Sequence, residues 1–406
     1  MTKFLLFLLP SMTCFTGCLR NKKSCIASDD YLMFRPGNII NLTGTAGNGL
    51  KANDAVTING GVLNITVSAT AAKGISCDGI VAIKGGRSTI LTSGGAEYDS
   101  DENDATACSG VKSDSTFTMT GGKLLIKSTG QGGKGISGDQ VVNIEEGEIR
   151  IITTGSKYTY SNDIDTSPKG IKADGDLNIK GGTILVRTSG GEGAEGIESK
   201  AIMTFTGGVT EGSSYDDAIN AASRIVFNDG KLYAFSSKND ALDSNGNMEF
   251  NGGVAICSGS SAPEGGFDCD NNTFKVTGGT LIGTGGATST PSSASTQPVM
   301  IYNGSLSSGA YLTIADSNGT NVMAYKLSQS SSVTLVSCAS LKKGSTFKLS
   351  SGATVSGGTD FCGLYTGATV SGGTSLYDVT LSSMVTSVGT STGGGQGGGF
   401  PGGGRP

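Results

Sequence analysis

Carboxylate side chains recur at regular intervals in the second half of the chain, and this is the residue pattern best suited to chemistry. An acid stands two positions before a single apolar residue, and another acid or an amide stands directly after it. The residues are Glu195, Glu198, Asp217, Asn220, Asp240, Asp243 and Asp268. Calcium takes six to eight oxygen ligands, including carboxylates and amide carbonyls. We therefore expect these seven residues to hold one or more Ca²⁺ ions. The alternative is a solvated acidic face that nearby lysines partly neutralise.

Lysines fill the corresponding positions in the first half of the chain. They include Lys134, Lys169 and Lys172, and Lys200 follows close to the first acids. A lysine can act as a general base when its pKa is lowered. Neighbouring carboxylates favour the protonated amine, so we expect them to raise the pKa values of these lysines. The pattern therefore disfavours a lysine base.

Two insertions, near residues 94–108 and 155–168, interrupt the repeat at the same point and are expected to project from the same face. Tyrosines beside carboxylates suit stacking on sugars and hydrogen bonding to their hydroxyls, and loops on a rigid scaffold often carry function. An ordinary polar loop and a second cation site are the alternatives. The candidate carbohydrate-binding residues are Tyr98, Asp99, Asp101, Asp104, Tyr158, Tyr160, Asp163 and Asp165.

Histidine is absent from the 406 residues, which excludes several classes of enzyme. Ser-His-Asp and Cys-His nucleophilic sites are impossible, and so are zinc sites that use histidine. The net charge of −5 comes without a basic patch. We expect no nucleic-acid partner, because phosphate neutralisation needs grouped lysines and arginines.

A glycine pair recurs along the chain and marks a repeating unit. It stands at 60–61, 85–86, 121–122, 181–182, 207–208, 252–253 and 278–279, with degenerate copies at 146–147 and 229–230. Each copy holds short segments in which apolar and polar residues alternate, as in β-strands. One such unit cannot bury its apolar side alone, whereas stacked units form a continuous core. The sequence thus predicts an all-β fold, a parallel β-helix of about nine coils.

The end of the repeat predicts how the chain is divided. Residues 48–286 are assigned to the parallel β-helix, and a Ser/Thr/Pro-rich linker follows over 287–298. Strand-like runs over 298–385 predict a small C-terminal β domain that closes the solenoid, since exposed ends must be capped. The glycine-rich residues 386–406 are expected to form a disordered tail.

The N-terminus, over residues 1–25, resembles a signal peptide with a lipoprotein anchor. Lys3 precedes the apolar run FLLFLL, and the triplet that ends at Cys18 resembles a bacterial lipobox. Cys18 is therefore the expected lipidation site, and a lipid anchor there is the only membrane contact we expect. We expect an exported bacterial protein, either a cell-surface lipoprotein or a secreted protein.

Several stretches of the repeat resemble the bacterial carbohydrate-binding domain-containing β-helix family. They are KGIKADGDLNIKGGTILVRTSGGEGAEGIESKA (169–201), NDALDSNGNMEFNGG (239–253), APEGGFDCDNNTFKVTGGTLIGTGG (262–286) and LYTGATVSGGT (364–374). The similarity extends over about residues 48–385. The resemblance implies a right-handed parallel β-helix with an architecture like that of polysaccharide lyases. It also implies calcium binding and attachment to plant-type polysaccharides such as pectin or cellulose.

Three functions fit these observations. The first is non-catalytic, calcium-dependent binding of an extracellular polysaccharide, with acidic glycans such as pectin favoured over cellulose because tryptophan is absent. The second is a calcium-dependent polysaccharide lyase. The third is a surface adhesin or structural rod without a glycan ligand. We expect the protein to be a monomer.

Overall fold

The structure, a computed structural model, describes residues 24–390 and the backbone of two short strands before them, Leu5–Phe7 and Phe15–Thr16. The described part is all-β and contains no helix, so no helix in it could span a membrane. Its strands stack in parallel from coil to coil. The predicted parallel β-helix is therefore confirmed. Cys18 lies outside the described residues, as do residues 391–406 of the predicted tail. The prediction of a disordered tail is wrong for residues 386–389, because strand Val385–Gly389 pairs in parallel with strand Val299–Leu306.

One face of the β-helix carries the lysines and acids of interest, and we call it the site sheet. It is a ten-stranded parallel sheet with one strand per coil. Its strands are Ser24–Ser28, Asn48–Ala52, Lys73–Cys77, Ser109–Ser113, Lys134–Gly138, Lys169–Ala173, Glu195–Ser199, Ile219–Ala221, Leu242–Ser244 and Phe267–Asp268.

The remaining faces belong to one larger sheet, in which each coil supplies one or two strands. In four coils a single long strand continues through the turn that separates two shorter strands in the other coils. These long strands are Phe117–Ser128, Val142–Thr153, Ile202–Ser214 and Arg224–Ser236. The strands before that turn are otherwise Tyr31–Phe34, Ala55–Ile58, Ile80–Ile83, Leu177–Ile179, Asn247–Phe250 and Phe274–Val276. Those after it are Ile39–Gly44, Val62–Val67, Arg87–Thr92, Thr183–Thr188, Val254–Ser258 and Thr280–Gly285.

The ten strands of the site sheet give one coil more than the nine glycine pairs predicted. The additional coil begins at Ser24 and pairs with the next coil along its whole length. It escapes the sequence pattern because Pro36-Gly37 stands where the later coils have a glycine pair. Gly37 has a φ of +87°, so the turn still uses the left-handed conformation.

The turn between the two strand positions that each coil has in the larger sheet explains the glycine pair. Its second glycine has a positive φ in every later coil, from +66° at Gly253 to +105° at Gly230. Residues with a side chain rarely adopt this conformation. At Gly182 a Cβ would also lie 2.6 Å from the carbonyl oxygen of Gly147 in the coil below. The degenerate copies keep this second glycine, which is the one that the turn requires.

Inward apolar side chains fill the interior of the coils. Phe205, Phe227, Phe250 and Phe274 form a continuous ladder with ring centroids 5.4 to 5.7 Å apart, and none is more than 1% exposed. Burial of each such side chain stabilises the fold by about 1.5–3 kcal/mol. The ladder holds the last coils in register, and these are the coils that carry the acids.

The segment 287–298, predicted as a linker, lies along the last coil instead. The amide of Ser289 donates to the carbonyl of Phe267 at 2.8 Å, and that of Thr296 donates to Val276 at 2.9 Å. Strand Ser331–Ser337 then pairs antiparallel with Thr280–Gly285 and covers the exposed edge of the larger sheet. An uncovered edge strand would offer its backbone to other chains.

The C-terminal β structure packs around a second apolar core that includes Met300, Tyr325 and Leu349. Three strands extend the larger sheet: Val299–Leu306, Ser331–Ser337 and Val385–Gly389. Six more form a separate sheet: Thr359–Phe361, Leu364–Thr366, Asn321–Lys326, Tyr311–Asp316, Thr346–Ser351 and Thr374–Thr380. The last two, Thr354–Ser356 and Thr369–Ser371, pair with each other.

Candidate functional site

The site sheet displays two columns of polar residues, one on each side of its inward apolar residue. The strand register aligns Lys134 with Lys169 and Lys169 with Glu195 in the first column. The second column runs through Lys172, Glu198, Asn220, Asp243 and Asp268. The columns deduced from the sequence repeat are therefore present in the structure.

The two insertions form β-hairpins beside the site sheet. Glu97–Asp99 pairs with Asp104–Thr106, and Tyr158–Thr159 pairs with Asp165–Thr166. The rings of Tyr98 and Tyr160 stack with their centroids 4.0 Å apart and their planes 3° from parallel. The two hairpins thus stand next to each other and form one wall.

A cleft of about 790 Å³ lies between this wall and the site sheet. Its lining extends from Lys73 to Asp216, that is, across five coil-to-coil steps. At about 4.8 Å per step, the cleft runs roughly 24 Å along the axis of the β-helix. Across the coil it is lined by the two columns, the hairpins and the residues that flank the site-sheet strands, such as Asp139, Asp174 and Glu192. The cleft is therefore shaped for a linear ligand parallel to the axis.

Most lysines in the cleft have a carboxylate partner. Lys112 pairs with Asp139 and, at 3.4 Å, with Asp114. Lys172 lies 2.5 Å from Asp174, while Lys157 lies 2.7 Å from Asp165 on the second hairpin. Lys169 is 2.6 Å from Glu195 and 3.6 Å from Glu198. These ion pairs neutralise the lysines that take part in them, and the lining as a whole has seven lysines and ten aspartates or glutamates.

Lys73 and Lys134 differ from the others, because neither takes part in an ion pair within residues 24–390. The Nζ of Lys73 donates to the hydroxyl of Thr106 at 3.0 Å. The Nζ of Lys134 donates to the hydroxyl of Thr166 at 2.5 Å and to the carbonyl of Gly132 at 3.4 Å. Each amine is thus held by the last residue of one hairpin.

The pKa of Lys134 is lowered to about 7, chiefly by burial and then by the like charges of Lys172 and Lys169, while Glu198 and Asp174 oppose these effects more weakly. Only 8% of the residue is exposed. Burial also lowers the pKa of Lys73. The expectation that carboxylates raise the lysine pKa values is wrong for Lys134, because desolvation and neighbouring lysines outweigh the distant acids.

Lys169 follows the expectation. Its burial opposes the charged form, but the adjacent carboxylates of Glu195 and Glu198 raise its pKa above the ordinary value. Burial opposes ionisation of Glu198 as well, yet Lys169 and Lys200 hold its pKa low. Glu195 and Glu198, two of the predicted calcium ligands, therefore already have ammonium partners.

The acids of the next two coils have no such partners. Burial, with the repulsion of Asp243, raises the pKa of Asp217 to about 8. Burial raises that of Asp240 to about 9 and, with the repulsion of Asp268, that of Asp243 to about 7. No lysine or arginine among the described residues pairs with these three aspartates. Among the described residues, no ammonium or guanidinium group therefore offsets the cost of their charge.

One amide joins two of these aspartates. The Nδ2 of Asn220 donates to the Oδ2 of Asp217 at 3.1 Å and to the Oδ2 of Asp243 at 2.9 Å. The Oδ1 of Asp240 accepts from the amide of Gly265 at 2.6 Å. Asp268 accepts from the hydroxyl of Ser289 at 2.8 Å. The positive end of an amide dipole thus stands between Asp217 and Asp243.

The described residues contain no group of three or more His, Cys, Asp or Glu side chains arranged to hold a metal ion. The seven predicted ligands are therefore aligned along the sheet without forming an acidic cage. The part of the set that best fits an oxygen-seeking cation is Asp217, Asn220 and Asp243, where two carboxylates converge on one amide. Rotation of that amide would turn its carbonyl oxygen toward the same point.

The predicted carbohydrate-binding residues fall into two groups. Asp99, Asp104 and Asp165 line the cleft. Tyr98 and Tyr160 instead use one ring face each against the other, so those faces are not available to a sugar. The remaining three residues lie on the hairpins but are not part of the cleft lining within the described structure; they are Asp101, Tyr158 and Asp163.

Sequence reasoning missed Lys73, Thr106 and Thr166 as residues of the site. A signal was nevertheless present, because each threonine stands three residues before the site-sheet strand that follows its insertion. The two hairpins therefore return to the sheet in the same way. Each return brings a hydroxyl over the lysine of the preceding coil.

Comparison with known proteins confirms the resemblance stated above for part of the chain. Residues 19–208 match the sequence profile of a family described as carbohydrate-binding domain-containing protein. The matched region includes both hairpins and the lysine coils, and it ends before Asp217. No curated protein and no solved structure matches the chain significantly.

Proposed function

We propose that the cleft over the site sheet binds an extracellular polysaccharide without cleaving it. The observation that carries this proposal is the cleft itself, about 790 Å³ in volume and elongated along the axis. All of its lining residues except Asp216 lie within residues 19–208, the region that matches the carbohydrate-binding family. Ligand sites in proteins commonly have volumes of about 300–1,000 Å³. Amines, hydroxyls and carboxylates on its floor suit a chain of sugar residues.

Acidic glycans fit this cleft better than neutral ones. The protein as a whole is acidic, with a formal charge of −5, and acids also outnumber lysines in the cleft lining, but the site-sheet strands there contribute lysines from four consecutive coils. Within residues 24–390, neither Lys73 nor Lys134 has a carboxylate partner in the cleft. The chain has no tryptophan, and Tyr98 and Tyr160 stack on each other. These features favour a soluble acidic polysaccharide such as pectin over crystalline cellulose, which calls for a flat aromatic platform.

Calcium has a place in the proposal at Asp217, Asn220 and Asp243. These residues supply carboxylate and amide oxygens, the ligand types that Ca²⁺ prefers. Bound calcium would supply the positive charge that the buried carboxyls lack. It would also place a positive charge next to the end of the cleft that Asp216 lines. The absence of a three-acid cluster means that backbone carbonyls, water or the glycan would have to complete the coordination.

A polysaccharide lyase is the second candidate, and Lys134 is the observation that favours it. An amine with a pKa of about 7 is partly unprotonated at neutral pH, which suits a general base. In a β-elimination the base takes the proton from C5, next to the uronate carboxylate. The C4–O bond to the leaving sugar then breaks, a C4–C5 double bond forms, and the departing oxygen takes up a proton from water. Lys134 is placed at the floor of the cleft, where such a proton would approach.

Affinity electrophoresis of the purified chain tests the proposal. The gels contain unesterified pectic polysaccharide, its methyl-esterified form or a soluble neutral glucan, each with calcium or with chelator. We expect retardation by the unesterified polymer and less by the other two. Mobility in all of these gels equal to that in a gel without polysaccharide would contradict the proposal. Ultraviolet absorbance of an unsaturated product in the same mixtures would favour the lyase.

A further inference from the structure

We propose that the cleft holds a linear polyuronate parallel to the β-helix axis and that Lys73 and Lys134 bind the carboxylates of every second sugar. This inference rests on the proposed function and specifies how the ligand is held. The two lysines occupy the same column, since Ser109 aligns with Lys73 on one side and with Lys134 on the other. They are separated by two coils, or about 10 Å at about 4.8 Å per coil.

The spacing of the coils matches the spacing of a glycan. One coil step is about 4.8 Å, which is close to the length of one pyranose residue in an extended chain. Neighbouring residues in such a chain turn opposite edges to the same surface, so every second carboxylate faces the sheet. Lysines two coils apart therefore meet carboxylates two sugars apart. The small Ser109 between the lysines leaves room for the intervening sugar.

Each lysine forms one half of a pocket, and a threonine of a hairpin forms the other half. Lys73 uses one of its three N–H groups on Thr106, and Lys134 uses two on Thr166 and Gly132. An ammonium group has three donors. Each amine thus keeps at least one N–H for a ligand oxygen, and its orientation is already fixed.

The missing counter-charge indicates an anionic ligand. Other lysines of the cleft have carboxylate partners, such as Asp139 for Lys112 and Asp174 for Lys172. Lys134 is 92% buried and lines the cleft, yet it has no such partner in residues 24–390. A buried amine without an anion is costly unless it loses its proton. A ligand carboxylate removes that cost, whereas a neutral sugar does not.

The acidic coils set the end of the binding region. Glu195 lies directly above Lys169 in the first column, and Asp216 closes the lining of the cleft. Carboxylates of a glycan that continued past this point would face carboxylates of the protein. The lysine coils therefore define a binding length of about four sugars, one for each coil from Lys73 to Lys169.

Calorimetric titration with linear oligouronates of one to six residues tests this arrangement on the full chain. We expect affinity to rise steeply at the trimer, the first oligomer that reaches both lysines, and to level off beyond the tetramer. Lys73→Met and Lys134→Met should each weaken trimer binding by about tenfold to a hundredfold, the range for a lost charge-assisted hydrogen bond. Methyl-esterified oligomers serve as uncharged ligands, and their binding should not change.

Lys84→Met is the matched control, because Lys84 is exposed and lies outside the cleft. It should bind like the unmodified protein. If Lys134→Met failed to fold, as judged by circular dichroism, Lys73→Met alone would decide. A lysine that only anchors a hairpin would alter binding of charged and esterified oligomers equally, which would overturn the inference. Uronate binding without a trimer step would overturn it while leaving polysaccharide binding intact, whereas no binding of any glycan would refute both.

Discussion

Replacing Lys134 by methionine should stabilise the fold at mildly acidic pH, although it removes a residue that we assign to ligand binding. Burial lowers the pKa of this amine from 10.5 to about 7. Each unit of pKa shift corresponds to about 1.36 kcal/mol. Lowering the pKa from 10.5 to about 7 therefore costs the folded protein about 5 kcal/mol below pH 7, where the lysine is protonated in both the folded and the unfolded chain.

The sign of the pH dependence follows from the direction of the shift. The folded pKa lies below the unfolded value, so the unfolded chain binds more protons between about pH 7 and pH 10.5, and stability rises with pH in that window. At about pH 9 the remaining cost is about 2 kcal/mol, from about 1.5 units at 1.36 kcal/mol each. The two hydrogen bonds that Lys134 makes are worth about 1 kcal/mol each, and the methionine loses them.

The net expectation for Lys134→Met is a gain of about 3 kcal/mol in unfolding free energy at pH 6 and almost none at pH 9. Urea unfolding at both pH values, followed by circular dichroism, measures this difference. Lys84→Met provides the control, since exposed substitutions usually change stability by less than about 0.5 kcal/mol. A destabilised Lys134→Met at pH 6, or a gain that does not depend on pH, would refute the assignment of a buried, uncompensated ammonium.

Three further predictions follow from the same geometry. Oligouronate affinity should fall as pH rises from about 7 to 9, because Lys134 loses its proton there, whereas a flat pH profile would show that its charge is not used. Asp217→Asn should raise the melting temperature at pH 7.5 in chelator. The unfolded chain ionises Asp217 above about pH 4, whereas its raised pKa makes ionisation in the folded protein costly, and asparagine avoids this cost. The variant should also lose any stabilisation by added calcium, and calcium stabilisation of equal size in the variant would place the ion elsewhere. Tyr160→Ala should remove the ring stacking with Tyr98, which is worth about 0.5–1.5 kcal/mol to the pair of hairpins. We expect faster amide exchange in both hairpins. Unchanged exchange would mean that the wall does not depend on the stacked rings.

The fold was predictable because its strongest constraints are local. The turn between the two strand positions of each coil in the larger sheet needs a positive φ, and glycine supplies it in every coil. The spacing of the glycines therefore follows the spacing of the coils. The first coil was missed because Pro36-Gly37 solves the same turn with other residues. The segment 287–298 was misread because its Ser, Thr and Pro residues suggest a linker, whereas its backbone hydrogen bonds to the last coil depend on the tertiary structure.

The alignment of the site was predictable, but its electrostatics were not. The repeat fixes which residues share a column, so the succession of Lys169, Glu195 and Asp217 could be deduced from the sequence. Whether a lysine finds a carboxylate depends on side-chain positions that the repeat does not encode. Lys169 reaches Glu195, while Lys134 meets the hydroxyl of Thr166 on a hairpin. The sign of the pKa shift of Lys134 therefore required the structure.

Hydrogen–deuterium exchange of the full chain, with and without soluble polyuronate, tests most directly whether the cleft is the binding site. We expect the ligand to slow exchange in the hairpins 97–106 and 158–166 and in the site-sheet strands from Lys73 to Lys169. Methyl-esterified polymer at the same concentration should give much less protection. Protection confined to the C-terminal β structure, or an unchanged exchange pattern with a polymer that the protein demonstrably binds, would contradict a glycan site in this cleft.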